Sequence, residues 1–145
     1  MWYSAKVAYK KVNDAGVYGS HKELYLVDAL SFTEAEARVT GEFAGVGDFK
    51  VMALKIEDYA SVLETIEDNG DSAWYKVRLN FINEEGKVLG TDNILVLSSS
   101  TDDALRRTKD HMRGSLTCFE IHSVSKTKIE SVIFYEQEKE TEETK

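Results

Sequence analysis

The 145-residue sequence contains no proline, a single cysteine and no long apolar run. Without proline, no slow X-Pro isomerisation is expected during folding. One cysteine, Cys118, excludes an internal disulfide and is typical of a reducing compartment. No segment approaches the roughly 20 apolar residues that span a bilayer, and the N-terminus lacks the apolar core of a signal peptide. These absences predict a soluble, cytoplasmic protein that does not enter a membrane.

Motifs of catalytic chemistry are also missing. The three histidines, at positions 21, 111 and 122, show no zinc-ligand spacing, and no second cysteine exists for a CxxC pair. Neither a phosphate-binding glycine motif nor a G-x-S-x-G elbow occurs. Cys118, beside Phe119, is expected to be a small buried residue rather than a reactive thiol, and His122 a solvated strand residue. The sequence predicts a non-enzymatic protein without metal or cofactor.

The charge is unevenly distributed along the chain. Acidic residues outnumber basic residues by 26 to 18, which gives a net charge of −8. An evenly acidic surface would repel nucleic acid and anionic membranes. However, residues 130–145 carry a net charge of −4, whereas residues 104–128 carry +4. A partner could therefore meet a positive face on this acidic protein.

The second half of the chain repeats patterns of the first half about 70 residues later. Trp2-Tyr3 returns as Trp74-Tyr75, and the turn sequence at 13–16 returns at 83–86. Each copy opens with apolar residues at every second position, then an Asn-acid-x-Gly turn, which predicts a β-hairpin. Extended segments are also predicted at 49–57, 61–66, 119–126 and 131–135.

A helix is predicted after each hairpin. Ser31 with Glu34 has the spacing of a capping box, and Ser99 with Asp102 gives a weaker version. Residues expected on the buried face recur at helical spacing in both copies, and these are Ala35, Val39, Phe43, Leu105, Thr108 and Met112. Glycines at 45 and 47, and at 114, are expected to end the helices.

These elements predict an α+β fold of two tandem ββαβ repeats. Pseudo-twofold symmetry would relate the repeats, with antiparallel-rich sheets packed on two helices. The predicted boundaries are 1–66 for the first repeat, 67–72 for a polar linker, and 73–135 for the second repeat. Residues 136–145 have no apolar side chain and are expected to form an acidic, disordered tail.

A candidate binding surface lies on the first strand of each repeat. If Tyr3, Ala5, Val7 and Tyr9 face the helix, the opposite face carries Trp2, Lys6 and Lys10, and in the second repeat Trp74, Lys76 and Arg78. Aromatic rings among cations are typical of single-strand nucleic-acid binders, in which bases stack and cations contact phosphates. Arg106, Arg107 and Arg113 of the second helix add further candidate phosphate contacts. The same residues are also compatible with an edge-covering tryptophan and an ordinary solvated face.

One segment resembles a known family signature. The sequence LVDALSFTEAEAR at 26–38, the opening WYxxKV-like strand and the late segment at 123–129 are similar to an uncharacterised domain family. We associate this family with gut anaerobes, their mobile elements and their tailed phages. The resemblance implies a phage or mobile-element origin in a bacterial host, and it implies no activity and no site residues.

Two functions remain open at this point. The first is a single-stranded nucleic-acid-binding accessory of replication or recombination. The second is a protein-interaction module, an inhibitor or adaptor acting on a host or phage complex, because Trp, Tyr and Arg also favour protein contacts. A homo-oligomer is compatible with either.

Overall fold

The computed structural model describes residues 1–12, 14–64 and 72–135. Most of the predicted linker and the whole predicted acidic tail lie outside these residues. The described elements are β1 (Trp2–Val12), β2 (Tyr18–Asp28), α1 (Phe32–Glu42), β3 (Phe49–Glu57), β4 (Ser61–Leu63), β5 (Ala73–Ile82), β6 (Val88–Ser98), α2 (Thr101–His111), β7 (Phe119–Lys126) and β8 (Ile129–Ile133). The predicted α+β class is confirmed, whereas the duplication and its symmetry stay predictions.

The strands form two four-stranded mixed sheets. The first sheet has the order β3-β1-β2-β8, and the second has the order β4-β6-β5-β7. In each sheet three strands are antiparallel, and the fourth pairs in parallel with the second strand of a hairpin. Both sheets therefore have the same arrangement, with the long hairpin in the middle.

The fourth strand of each sheet comes from the other half of the sequence. One compact unit contains Met1–Glu57 and the chain from Ile129 onward, and the other contains Asp58–Lys128. The compact units thus differ from the predicted contiguous stretches 1–66 and 73–135.

Connection length gives the physical reason for this exchange. If β4 were to pair in parallel with β2 in the first sheet, the chain would first have to run back along the whole length of β3. That distance is roughly 30 Å for nine residues. The three residues between β3 and β4 span only about 10 Å. A similar limit applies to the two residues between β7 and β8. Each chain segment therefore enters the other sheet instead of turning back.

The predicted strand parity is correct in both units. Tyr3, Ala5 and Val7 of β1 pack with Ala35 and Val39 of α1 in one buried cluster. In the second unit, β5 contributes Tyr75, Val77 and Leu79 to a cluster with Ala104 of α2. The face of each sheet opposite its helix is then left to the alternate residues of β1 and β5.

The predicted start of α1 is confirmed, but α2 begins one residue later than predicted. The Ser31 hydroxyl accepts a 3.1 Å hydrogen bond from the Glu34 N–H. In α2 the cap is Ser100, which accepts from the Asp103 N–H at 3.1 Å, and not Ser99. The buried residues of α2 are Ala104 and the predicted Thr108, whereas Leu105, also predicted on the buried face, is only half-buried.

Both outer antiparallel strands contain a β-bulge at matching places. On β3 the pairing moves from Val51 to Ala53, so Met52 has no partner on β1. On β7 it moves from Ile121 to Ser123, which leaves His122 unpaired. Bulges at sheet edges oppose the addition of a further strand, and the side chain of His122 is exposed, as predicted.

Cys118 is exposed, so its predicted burial is wrong. The residue precedes β7, and its carbonyl oxygen accepts a 3.0 Å hydrogen bond from the Ile82 N–H. This hydrogen bond fixes the backbone of Cys118 beside β5 but does not bury its side chain. The side chain that packs in the core is that of the next residue, Phe119.

Candidate nucleic-acid interface

Trp2 lies on the face opposite α1, as predicted, and is half-buried. Its indole meets the ring of Phe134 edge-on, with centroids 5.9 Å apart and an interplanar angle of 85°. Phe134 follows β8, so the exchanged strand covers part of this indole. Only the remaining surface of Trp2 is accessible to a ligand.

Trp74 is buried, and the prediction that it faces solvent is wrong. Its exposed fraction is 6%, although it lies on the face opposite α2. Its β6 partner Leu97 is 8% exposed, and Leu95, two residues away, is fully buried. The sequence indicates this burial through the apolar run Ile94-Leu95-Val96-Leu97. A continuous apolar run is typical of a strand that is buried on both faces. Trp74 therefore offers no stacking surface.

Lys76 and Arg78 share the parity of Trp74 but differ in exposure. Lys76 is half-buried, and its Nζ lies 5.9 Å from the centroid of the Tyr59 ring. Arg78 is exposed. Of the three residues predicted on β5, only Arg78 is exposed.

The three arginines of the predicted basic cluster form ion pairs with carboxylates of α2, although Arg113 itself lies beyond the end of that helix. Arg106 and Arg107 both contact the Asp103 carboxylate, at 2.6 and 3.0 Å, and Arg113 contacts Asp110 at 2.8 Å. These pairs have the i,i+3 or i,i+4 spacing that brings helical side chains together. Carboxylates of α2 therefore largely neutralise the predicted basic cluster, which weakens its case as a phosphate contact.

Asp103 makes the stability of the fold depend on pH. Partial burial acts to raise the pKa of its carboxyl, but hydrogen bonds from Arg107, the Ser99 N–H and Arg106 outweigh this and lower the pKa to about 2. A depressed carboxyl pKa stabilises the fold above the unfolded value of 3.8, and that contribution disappears as the pH falls towards 2.

We expect Asp103→Asn to lower the free energy of unfolding by about 1 kcal/mol at pH 7, since solvent screening reduces the full effect of the shift. Urea denaturation at pH 7 and pH 2 measures the difference, which should vanish at the lower pH. Asp102→Asn, one residue earlier on the same helix, is the control and should have little effect. An Asp103→Asn defect that is equal at both pH values would contradict this assignment.

Four lysines gather on the open face of the first sheet, which is the face opposite α1. Ala8 of β1 pairs with Lys22 on β2 and with Lys50 on β3. Lys6 and Lys10 lie two residues to either side of Ala8 on β1, on the same face. We call Lys6, Lys10, Lys22 and Lys50 the lysine patch.

The charges of the lysine patch are available to a ligand. All four side chains are exposed. Within the described residues none of them forms an ion pair with a carboxylate, in contrast to Lys11, whose Nζ lies 3.9 Å from Glu23. Lys22 lies diagonally across from Lys6 and Lys10, and Lys50 diagonally across from Lys10. Diagonal positions in a sheet are about 7–8 Å apart, so the four lysines form one local concentration of positive charge.

The second sheet has no group of lysines around the residue that corresponds to Ala8. Asn80 of β5 occupies the place of Ala8 and pairs with Thr91 and Glu120. Its side-chain amide donates a 3.3 Å hydrogen bond to the Glu120 carboxylate. The cationic open face is therefore a property of the first unit, although both sheets have the same strand arrangement.

An exposed aromatic ring adjoins the lysine patch. Tyr18, at the start of β2, has the face parity of Lys22 and is 63% exposed. It supplies the accessible ring that Trp74 does not. The sequence pattern identified Lys6 and Lys10, but Tyr18, Lys22 and Lys50 belong to other strands, and only the pairing register places them here.

The Glu23 carboxylate of β2 lies on the opposite side of the same hairpin. The Glu23 carboxylate accepts hydrogen bonds from the hydroxyls of Tyr9 and Tyr25. The bond to Glu23 raises the pKa of Tyr9, and burial together with the same carboxylate raises the pKa of Tyr25. Because these residues point towards α1, Glu23 is separated from the lysine patch by the thickness of the sheet.

A depression of about 220 Å³ borders the lysine patch where β3 begins. Its lining comprises Ala8, Tyr9, Lys10, Ser20, Asp48, Phe49 and Lys50. Among the described residues, no group of three or more His, Cys, Asp or Glu side chains is placed to hold a metal ion. Neither described helix has the length and apolar character needed to cross a membrane.

The fold and the open face define a small α+β protein with a cationic surface on one of its two sheets. The chain belongs to the family described as a domain of unknown function, DUF4494, which it matches over residues 1–135. The resemblance to an uncharacterised domain family is thereby confirmed, while its association with gut anaerobes and phages stays a prediction. A comparison with curated proteins finds no match.

Proposed function

We propose that this protein binds single-stranded nucleic acid through the lysine patch, as an accessory of phage or mobile-element replication or recombination in the bacterial cytoplasm. The observation that carries the proposal is the set of four exposed lysines around Ala8, without a carboxylate partner among the described residues. Phosphate contacts supply most of the affinity of non-specific binders. Tyr18 provides a ring on which a base can stack.

The net charge of −8 lowers the affinity for a nucleic-acid strand through long-range repulsion, but it does not prevent binding at the lysine patch. At 0.1 M salt, charges more than about 10 Å apart are largely screened, so a bound phosphate responds mainly to the nearest side chains. At low ionic strength, repulsion from the more distant acidic residues offsets part of the attraction to the lysine patch. We therefore expect modest affinity, and four phosphate contacts give a slope of about −3 for log K against log salt on a single strand.

The test is fluorescence anisotropy of a labelled single-stranded oligonucleotide with the intact chain. Replacing Lys6, Lys10, Lys22 and Lys50 together by Gln is expected to reduce affinity at least 100-fold at 50 mM salt. The matched control replaces four exposed lysines of the second unit, Lys87, Lys109, Lys126 and Lys128, by Gln, which changes the net charge equally.

The control should retain most of the affinity. Equal losses in the two quadruple variants would reduce the effect to net charge and contradict the proposed site. Wild-type affinity in the lysine-patch variant, or no binding by the wild-type protein at low salt, would contradict the proposed function itself.

A second candidate, a protein-interaction module, is favoured by the ends of the two hairpins. Apolar side chains are exposed there, at Val12, Val17 and Tyr18 of the first hairpin and at Val88 and Leu89 of the second. Exposed apolar residues at projecting ends are typical of contacts with another protein. If this second function is correct, replacing the exposed Leu89 by Ser should abolish capture of a protein partner. The same substitution should leave oligonucleotide affinity unchanged.

A further inference from the structure

The depression beside the lysine patch lies at a step in the first sheet. β3 begins at Phe49, which pairs with Tyr9, whereas β1 continues to Val12. Beyond this point β1 has β2 on one side and no strand on the other within the described residues. A ligand at this step can therefore approach the side of β1 as well as the side chains around it.

The size of the depression limits what it can hold. Its volume of about 220 Å³ is below the roughly 300–1,000 Å³ of sites that enclose a whole drug-sized molecule. It is about seven times the volume that a water molecule occupies in the liquid. A single flat ring system belonging to a longer ligand fits this space, with the rest of that ligand on the open face.

The lining combines both charges without pairing them. Lys10 and Lys50 border the depression together with Asp48. Asp48 is exposed and forms no ion pair with either lysine, and no hydrogen bond to its carboxylate is found within the described residues. Ala8 adds a methyl group and Ser20 a hydroxyl on the open face, whereas the rings of Tyr9 and Phe49 pack with Phe43 on the α1 side. A ligand that matches this set has anionic groups on either side of a ring that donates hydrogen bonds.

Base chemistry identifies which ring fits a carboxylate best. An ionised carboxylate only accepts hydrogen bonds, and its two oxygens accept from two adjacent donors. The Watson–Crick edge of guanine presents N1–H beside the 2-amino group. Adenine, cytosine and thymine each place an acceptor next to their donor on that edge, which an ionised carboxylate opposes.

We propose that this depression binds a guanine base of the bound strand, with Asp48 accepting from N1–H and the 2-amino group. Lys10 and Lys50 then contact the phosphates that flank this nucleotide, and the Ala8 methyl group contributes apolar contact to the ring. This inference rests on the proposed function and adds base preference to it.

The test compares oligothymidines that carry one central guanine, hypoxanthine, adenine or cytosine, by anisotropy with the intact chain. A good bidentate contact discriminates by roughly one factor of ten or more, so guanine is expected to bind about tenfold tighter than adenine. Hypoxanthine retains N1–H but lacks the 2-amino group and should lose most of this preference. Asp48→Asn should abolish the preference and leave the salt dependence unchanged.

Asp92→Asn, an exposed carboxylate on β6, is the matched control and should retain the guanine preference. Equal wild-type affinity for all four oligonucleotides, or an undiminished guanine preference in Asp48→Asn, overturns the assignment of the depression and leaves the lysine patch intact. Absence of oligonucleotide binding at low salt overturns the proposed function instead. The two failures are therefore distinguishable in one series of titrations.

Discussion

Neither half of the chain should fold as a monomer when residues 1–64 and residues 72–135 are produced separately, and mixing the two should restore both sheets. The first half lacks β8, which pairs with β2, and the second half lacks β4, which pairs with β6. Each fragment also carries a strand whose partner is on the other fragment. Circular dichroism and amide spectra of the separate and mixed fragments measure the effect.

The expected effect is large because buried residues lie along the exchanged strands. Leu26 and Val27 on β2 are fully buried, and both pair with β8. Ile129 of β8 is 8% exposed, and Ile133 packs against the first core cluster. Burying one such side chain stabilises a protein by about 1.5–3 kcal/mol, and whole domains are stable by only about 5–15 kcal/mol.

An uncut chain of residues 1–135 is the control for this experiment and should fold by itself. The mixed fragments should elute in gel filtration at the position of that control. A folded, monomeric fragment of residues 1–64 would contradict the exchange of strands, since it would show that the first sheet does not need β8.

Phe43→Ala should be among the most destabilising single substitutions in the first unit, by about 3–5 kcal/mol. Phe43 ends α1, is 6% exposed and contacts three other rings. The ring centroids of Tyr9, Tyr25 and Phe49 lie 5.5, 5.3 and 5.5 Å from its own. Its loss would open a cavity between α1 and three strands, and urea denaturation measures the change in unfolding free energy.

Met112 is the matched control for Phe43, because it ends α2 in the same way and packs on the second core cluster. It is only half-buried, so Met112→Ala should cost about 1–2 kcal/mol, below the range for fully buried methionines. Similar midpoints for the two variants would show that the ring cluster adds nothing beyond ordinary burial. Phe43→Leu should fall between Phe43→Ala and the wild type.

Local structure was predictable from the sequence because it depends on neighbouring residues. Period-two alternation placed Tyr3, Ala5 and Val7 on the helix side, and the bounds of β3 and β7 agree with the predicted 49–57 and 119–126. The start of α2 was one residue off, because Ser99 and Ser100 each have an acidic residue three positions later. Packing of Ala104 against the sheet selects Ser100 as the cap.

Long-range pairing was not predictable from the same patterns. The segments at β4 and β8 indicate extended chain, but nothing in their composition states which sheet they join. The lysine patch was not predictable for the same reason. Lys22 and Lys50 lie beside Ala8 only because of the register of β1 with its two neighbouring strands. Trp74 was misplaced for a different reason, since aromatic character alone does not separate a stacking platform from a buried ring.

The exchange of strands also sets an order of events during translation. The second sheet needs nothing beyond Lys126, because β4 has already been synthesised when β5 leaves the ribosome. The first sheet contains β1, β2 and β3, which are made before β4, but waits for Ile129–Ile133. The nascent chain therefore holds β2 as an open edge until β8 has been made, and the first sheet is completed after the second.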